Sequence, residues 1–179
     1  LEGHSEPITC LSLSPGGKRL VTGSFDTEIR VWSLEDPGAE PLVLKGHSDA
    51  VNDCIFSPDS QRLFSGGEDG RIIAWNLQTP DAGIDLKRGD SDETDSDANS
   101  PILKLAVSTD TRWLAAGTGT GQVLLYDRTE PEQNTEPQVL SRHSGSVDQL
   151  QFLTDGDETV LATGGADGLV QLWSVAEGE

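Results

Sequence analysis

Residues 46–75, GHSDAVNDCIFSPDSQRLFSGGEDGRIIAW, contain the pattern that decides the fold. The segment consists of a Gly-His pair, an apolar run ending in Ser-Pro, a second run ending in Ser-Gly-Gly, a turn with Asp69, and a third run ending in Trp75. Each run has the length of a strand and is bounded by turn residues, and no helical periodicity competes with it. The segment therefore predicts one antiparallel β unit.

The same pattern occurs four times along the chain. The first apolar residues of the units are Ile8, Val51, Ile102 and Val147, at intervals of 43, 51 and 45 residues. Repeats of roughly 40–45 residues with several strands each are typical of propeller blades, whereas helical solenoids have helical units. Apolar residues in each first strand are spaced by three and then by two positions, which predicts a β-bulge.

These repeats predict an all-β chain of four propeller blades, each a four-stranded antiparallel sheet. The expected bounds are about 1–46, 47–89, 101–142 and 143–179, with an acidic insert at 90–100. Candidate outer strands lie at 41–46, 83–89 and 137–143, so the last blade lacks one. Uncovered blade faces would expose a large apolar surface. We therefore expect part of a larger propeller or an eight-bladed ring closed by a second copy, with a distorted four-bladed ring as the third alternative.

Three of the units carry a His, a Ser or Thr, an Asp and a Trp at nearly constant spacing, a set that we call a tetrad. A His, an Asp and a hydroxyl resemble a nucleophilic triad, but a catalytic centre needs one such set in one pocket. A chain of hydrogen bonds from Trp through the hydroxyl and His to Asp accounts for all four residue types. The tetrads are His4, Thr22, Asp26 and Trp32; His47, Ser65, Asp69 and Trp75; and His143, Thr163, Asp167 and Trp173.

With these residues identified, the chain resembles the WD-repeat β-propeller family. The Gly-His pairs, the tetrad spacing and the closing Trp residues carry the resemblance, which covers essentially the whole chain. The third unit departs from the pattern: it has no His, and Ala116, Thr120 and Tyr126 replace the hydroxyl, the Asp and the Trp. The resemblance implies a non-enzymatic scaffold that binds a peptide or protein surface on the propeller rim.

The resemblance places the rim where the Gly-His loops and the second hairpin turns emerge. The net charge of −19, from 31 acidic and 12 basic residues, predicts a basic protein or peptide partner. The same charge disfavours nucleic acid and anionic membranes. Candidate binding residues on the rim are Glu6, Asp49, Asp53, Glu68 and Gly145, together with the acidic insert.

The sequence leaves two other functional classes to consider. The chain could be a regulatory or sensor propeller attached to a catalytic domain outside these residues. An enzyme in its own right is disfavoured, because the sequence has no unique catalytic set, no Cys-His ligand cluster and no phosphate-binding loop. The acidic run 90–97 lacks the glycine-centred pattern of a calcium loop. We therefore expect no catalytic residues, no metal and no cofactor.

The two cysteines occupy different positions in the aligned first strands. Cys10 aligns with Asp53, and Cys54 aligns with Leu11. Because alternate positions of a strand face opposite sides, the alignment predicts two free thiols that do not form a pair. Free thiols favour a reducing compartment, and we expect a cytoplasmic protein.

Overall fold

The computed structural model describes residues 1–80, 83–88, 99–129, 136–155 and 158–175. Within these residues every regular element is a β-strand, and the strands form four antiparallel sheets. The prediction of an all-β chain of blade-like sheets is confirmed. In the same part of the chain, no helix has the length and apolar character needed to cross a membrane. The acidic run 90–97 lies outside the described residues.

Each sheet is a meander, in which successive strands are hydrogen-bonded neighbours. Blade 1 contains β1 (Ile8–Leu13), β2 (Arg19–Ser24), β3 (Glu28–Ser33) and β4 (Leu42–Lys45). Blade 2 contains β5 (Val51–Phe56), β6 (Arg62–Gly67), β7 (Ile72–Asn76) and β8 (Ile84–Asp85). Blade 3 contains β9 (Ile102–Val107), β10 (Trp113–Thr118), β11 (Gln122–Asp127) and β12 (Gln138–Arg142). The described residues of blade 4 form β13 (Val147–Asp155), β14 (Glu158–Gly165) and β15 (Val170–Val175).

The first strand of every blade has an irregular pairing register with the second strand. One residue is skipped near the start of each first strand, as the three-then-two spacing of apolar residues predicts. A bulge of this kind changes the direction of the side chain that follows it. The shifts fall between Ile8 and Cys10, between Val51 and Asp53, between Val147 and Gln149, and in β9 opposite Gly117 and Thr118.

Neighbouring blades pack face to face through three apolar cores. In the first core, Val21 and Val31 of blade 1 pack with Phe56, Leu63 and Trp75 of blade 2. Strand β1 contacts β5, β5 contacts β9, and β9 contacts β13, so the first strands form the inner surface of the stack. Burying each large apolar side chain contributes about 1.5–3 kcal/mol, so the contact between blades is a main source of stability.

Both end faces of the stack are apolar and exposed. On blade 1, Leu11 is 68% exposed, and on blade 4, Val170 and Leu172 are 75% and 67% exposed. By register, Val170 and Leu172 correspond to Ile29 and Val31, which are buried against blade 2. The described residues therefore form an open arc. Its two end faces, on blades 1 and 4, resemble the faces that contact a neighbouring blade inside the stack.

The prediction that the two cysteines lie apart is wrong. The Sγ atoms of Cys10 and Cys54 are 3.4 Å apart, between blades 1 and 2. The two residues face opposite sides of their own sheets, but stacking of the blades brings the face that carries Cys10 against the face that carries Cys54, a member of the first apolar core. Both thiols are free, as predicted.

Candidate functional site

The tetrad of blade 2 is a continuous chain of hydrogen bonds. Trp75 on β7 donates its indole N–H to the Ser65 hydroxyl on β6 over 2.9 Å. The Ser65 hydroxyl lies 2.8 Å from His47 Nε2, and His47 Nδ1 lies 3.0 Å from both carboxylate oxygens of Asp69. These contacts connect the third strand, the second strand, the loop before β5 and the turn between β6 and β7.

The partners determine where the protons of this tetrad are. An ionised carboxylate only accepts hydrogen bonds, so His47 Nδ1 carries a hydrogen and donates a hydrogen bond to Asp69. Burial lowers the pKa of His47, although the neighbouring Asp69 acts in the opposite direction. The ring is therefore neutral near pH 7, its Nε2 accepts, and the Ser65 hydroxyl donates. The hydroxyl is completely buried and has both a donor and an acceptor, so this set has no position for a substrate.

Asp69 also holds two backbone amides. Its carboxylate accepts hydrogen bonds from the Ser48 amide at 2.9 Å and from the Arg71 amide at 3.1 Å. Burial alone would raise the pKa of Asp69, but the hydrogen bonds from Ser48, His47 and Arg71 outweigh it and lower the pKa. The ionised side chain therefore ties the Gly-His loop to the hairpin turn.

Blade 1 has the same arrangement. Trp32 Nε1 donates to the Thr22 hydroxyl over 2.9 Å, and that hydroxyl lies 2.8 Å from His4 Nε2. His4 Nδ1 lies 2.9 Å from Asp26, and Asp26 also accepts from the Ser5 amide. Burial would raise the pKa of Asp26, but hydrogen bonds led by that from His4 lower it.

The tetrad of blade 4 is looser at its Trp. His143 lies 2.9 Å from the Thr163 hydroxyl and 3.1 Å from Asp167, but Trp173 Nε1 is 3.4 Å from that hydroxyl. Trp173 is half-buried, whereas Trp75 is 2% exposed. The described part of blade 4 ends with the strand of Trp173, so this ring is less confined than its counterpart.

Blade 3 connects its loop and turn through hydroxyls. The Thr120 amide donates to Ser100 Oγ over 3.1 Å, and the Gln122 amide donates to Thr118 Oγ1 over 3.0 Å. Tyr126, at the Trp position, is completely buried, and burial raises its pKa, so it remains protonated. The hydroxyls of Ser100 and Thr118 thus accept hydrogen bonds from backbone amides where the other blades use an Asp carboxylate.

The rim is formed by the loop before the first strand and the turn after the second strand. In each blade an amide of the turn donates to a carbonyl of that loop, and in blade 2 the pair is Glu68 and Ala50 at 2.8 Å. The rim candidates Glu6, Asp49 and Glu68 are exposed, and Gly145 is half-buried. The equivalent pairs are Phe25 with Pro7, Gly119 with Pro101, and Ala166 with Ser146.

Asp53 does not belong with these exposed residues. It is 6% exposed, and its carboxylate accepts from the Leu105 amide at 2.8 Å and from Lys104 Nζ at 3.1 Å. This side chain faces blade 3, as Cys10 at the equivalent position faces blade 2. Asp53 joins two blades and is not available to a partner on the rim.

Phe25 is a rim residue that the sequence reasoning missed. It is 58% exposed and lies in the turn after β2, beside the loop that contains Glu6. Its equivalents in the other blades are Glu68, Gly119 and Ala166, so the fold does not require an aromatic residue here. An aromatic in a turn position that is otherwise polar or small was the signal available in the aligned repeats.

The described residues contain no group of three or more His, Cys, Asp or Glu side chains that could hold a metal ion.

The family sequence model described as "WD domain, G-beta repeat" matches residues 1–33, 38–76 and 134–174, which is more than half of the chain. The chain belongs to the WD-repeat family. Proteins of this family are generally non-catalytic interaction scaffolds. The family model leaves residues 77–133 unmatched, and these include the first three strands of the degenerate third unit.

Relatives match single stretches of this WD-repeat chain. An uncharacterized WD repeat-containing protein of Schizosaccharomyces pombe is 58% identical over 33 residues, which cover 18% of this chain and 8% of the relative. The Notchless protein homolog of Arabidopsis thaliana is 50% identical over 34 residues, 19% of this chain and 7% of the relative. The human ribosome biogenesis protein BOP1 is 53% identical over 32 residues, 18% of this chain and 4% of the relative. The matches thus span less than a tenth of the length of these relatives.

The tetrads are expected to make the protein sensitive to acid. Because the pKa of His47 is lowered in the folded state, the unfolded chain binds more protons below about pH 6.5, and stability falls as the pH drops from there. The pKa of Asp69 is also lowered, so its contribution is present above about pH 4 and is lost as the pH falls through the folded-state pKa. Melting temperatures between pH 8 and 3 should therefore fall in two stages.

The variant His47→Gln separates the two stages. It removes the imidazole whose pKa is lowered in the folded state, so the loss of stability as the pH falls below about 6.5 should become smaller. The loss below about pH 4 should remain, because Asp69 is still present. A wild-type melting temperature that stays constant down to pH 5 would contradict this account of His47.

Proposed function

We propose that this WD-repeat chain binds a basic protein segment on the rim formed by the Gly-His loops and the turns after the second strands. Exposed carboxylates at Glu6, Asp49 and Glu68 favour Lys and Arg side chains. The Phe25 side chain on the same rim is 58% exposed in an otherwise polar neighbourhood, and this exposed aromatic is the main support for a binding surface here. Aromatic side chains are frequent anchors of interfaces.

The backbone arrangement supports a binding role for this rim. The Phe25 amide donates to the Pro7 carbonyl over 3.1 Å, and the Ser24 hydroxyl donates to the Glu6 carbonyl over 3.2 Å. Asp26, the next residue, holds the Ser5 amide through the tetrad. The loop and turn are therefore held in place before a partner arrives, which lowers the entropic cost of binding.

Synthetic peptides provide a direct test. The panel contains peptides of equal length and of three kinds: basic peptides with Lys and Arg, acidic peptides with Glu, and uncharged peptides. Each kind is made with and without a central leucine. We expect the basic peptides with leucine to bind best and to lose affinity as salt is raised. Tight binding of acidic peptides, or affinity that does not respond to salt, would overturn the proposed basic partner.

Phe25→Ala is expected to weaken binding of the best peptide by about tenfold or more, because truncation of an interface hot spot costs about 2 kcal/mol or more and every 1.4 kcal/mol is tenfold. The matched control is Leu34→Ala. Leu34 is also exposed, at 37%, but its amide bonds to the Lys18 carbonyl in the turn between β1 and β2, at the opposite end of the strands. Equal losses in the two variants would exclude the rim that contains Phe25 as the binding surface.

We also propose that further blades of a longer polypeptide cover the two end faces. Exposed Leu11 and Val170 on these faces, together with matches to small parts of long relatives, support this proposal. A second copy that closes an eight-bladed ring is the alternative occupant. The molar mass of the purified protein, measured by light scattering, distinguishes the two: one chain per particle excludes the ring of two copies.

We further propose that the protein is cytoplasmic and that it binds neither nucleic acid nor anionic membranes. Free thiols at Cys10 and Cys54 support a reducing compartment, the cytoplasm, and imaging of the tagged protein tests it. The net charge of −19 supports a protein that binds neither nucleic acid nor anionic membranes. Binding to RNA or to anionic vesicles at physiological salt would overturn this expectation.

A further inference from the structure

We propose that Cys10 and Cys54 form a redox pair that peroxide converts to a disulfide, linking β1 of blade 1 to β5 of blade 2. The two Sγ atoms are 3.4 Å apart, and both thiols are free. A disulfide has an S–S distance of about 2.05 Å. The strands that carry the two residues, β1 and β5, contact each other, and closing the bond requires the sulfurs to approach by about 1.4 Å.

The packing of the two blades does not require cysteine at these positions. At the next contact between blades, the residues equivalent to Cys10 and Cys54 are Asp53 and Leu105, and there the Leu105 backbone amide donates to the Asp53 carboxylate. The fold therefore accepts a different pair of side chains in the same place. The thiol pair is a property of this one contact, and a reaction between the thiols would affect blades 1 and 2 specifically.

Gly23 provides the space for the sulfurs. A Cβ atom at Gly23 would lie 2.8 Å from the Sγ of Cys10 and 3.0 Å from the Sγ of Cys54. The absence of a side chain on β2 thus lets both sulfurs occupy the gap between the blades. The two thiols face each other across this gap.

The environment gives the two thiols different roles. The hydrogen bond from Cys54 lowers the pKa of Cys10, and burial raises the pKa of Cys54 well above its usual value. Cys10 is partly exposed, so it has the character of an attacking thiolate. Cys54 is 2% exposed but lines a cavity of about 380 Å³ between the first strands, which also includes Asp53 and Lys104. Cys10 does not line this cavity, so hydrogen peroxide has to reach Cys10 through the exposed part of its side chain.

The reaction balances with hydrogen peroxide as the oxidant. The Cys10 thiolate attacks one peroxide oxygen, the O–O bond breaks, and Cys10 becomes a sulfenic acid while hydroxide leaves and takes a proton to form water. The Cys54 sulfur then loses its proton and attacks the Cys10 sulfur. The S–S bond forms as hydroxide leaves as a second water. Two thiols lose two electrons in total, and one peroxide gains them.

The first test is peptide mapping of the folded protein after treatment with hydrogen peroxide. We expect the peptides that contain Cys10 and Cys54 to be recovered as one linked species, which dithiothreitol separates. The link should raise the melting temperature by about 5–10 °C, because it restricts the unfolded chain. In Cys10→Ser, peroxide should leave the melting temperature unchanged.

Three results would overturn the proposal. The first is that Cys10 accumulates as a sulfinic acid while Cys54 remains a thiol. The second is that the linked peptides come from two different molecules, as shown by a covalent dimer on a non-reducing gel. The third is that the link forms only in urea. The peptide map is made on the wild-type protein, so it remains decisive even if a cysteine variant fails to fold.

Discussion

Gly66→Ala is expected to destabilise the protein by about 2–3 kcal/mol, in the range found for overpacked cores. Gly66 lies on β6, and a Cβ atom there would lie 2.9 Å from the Cβ of Ile102 and nearer still to its Cγ2. Ile102 is completely buried at the start of the next blade. The new methyl group would therefore push β9 away from β6 and open the second apolar core.

Gly164→Ala is the matched control. Gly164 pairs with Gln149 as Gly66 pairs with Asp53, so the two glycines have the same place in their blades. The nearest atom to an added Cβ at Gly164 is the Gln149 Cβ, at an ordinary 3.6 Å. We expect the free energy of unfolding to change by no more than about 0.5 kcal/mol. Urea denaturation of both variants measures the difference, and equal losses would mean that the contact between blades is not the cause.

Asp69→Ala is the second change with a large expected effect, a loss of about 3 kcal/mol. The variant leaves the His47 ring and the Ser48 and Arg71 amides without their carboxylate acceptor. His47 is 7% exposed, so water cannot readily replace Asp69 at its Nδ1. Unsatisfied buried donors each cost about 1–3 kcal/mol.

The control for Asp69→Ala is Asp49→Ala. Asp49 is exposed, and its carboxylate accepts from the adjacent Ala50 amide, within the same loop. We expect a loss of about 0.5 kcal/mol or less, as for most surface substitutions. Thermal and urea unfolding of the two variants should rank them clearly. A similar small loss at Asp69 would show that the tetrad of blade 2 contributes little to stability.

The repeats made most of the fold predictable. Strand positions followed from recurring apolar runs and turns, and the spacing of three and then two residues indicated the bulges. The tetrad residues were grouped by their constant spacing, and His47, Ser65 and Asp69 lie within hydrogen-bond distance of one another in the structure. Strands, turns and tetrads lie within one repeat, and every repeat has to form them. The residues that form them therefore recur along the sequence and can be recognised there.

Contacts between blades were not predictable in the same way. Asp53 was expected on the rim and is buried against Leu105, and Cys10 was expected to lie apart from Cys54. In both cases the side chain faces the next blade, so its partner lies 44 or 52 residues away and outside any local pattern. Phe25 was missed because exposure depends on what surrounds a turn, which periodicity does not report.

The central claim is that the repeated His, hydroxyl, Asp and Trp residues stabilise the blades, and that binding takes place on the rim. The most direct test measures, on His47→Ala, the melting temperature and the affinity for the best basic peptide at a temperature at which the protein is folded. We expect the melting temperature to fall by about 5–10 °C while the affinity stays unchanged. An unchanged melting temperature together with lost binding or a lost enzymatic activity would contradict the claim.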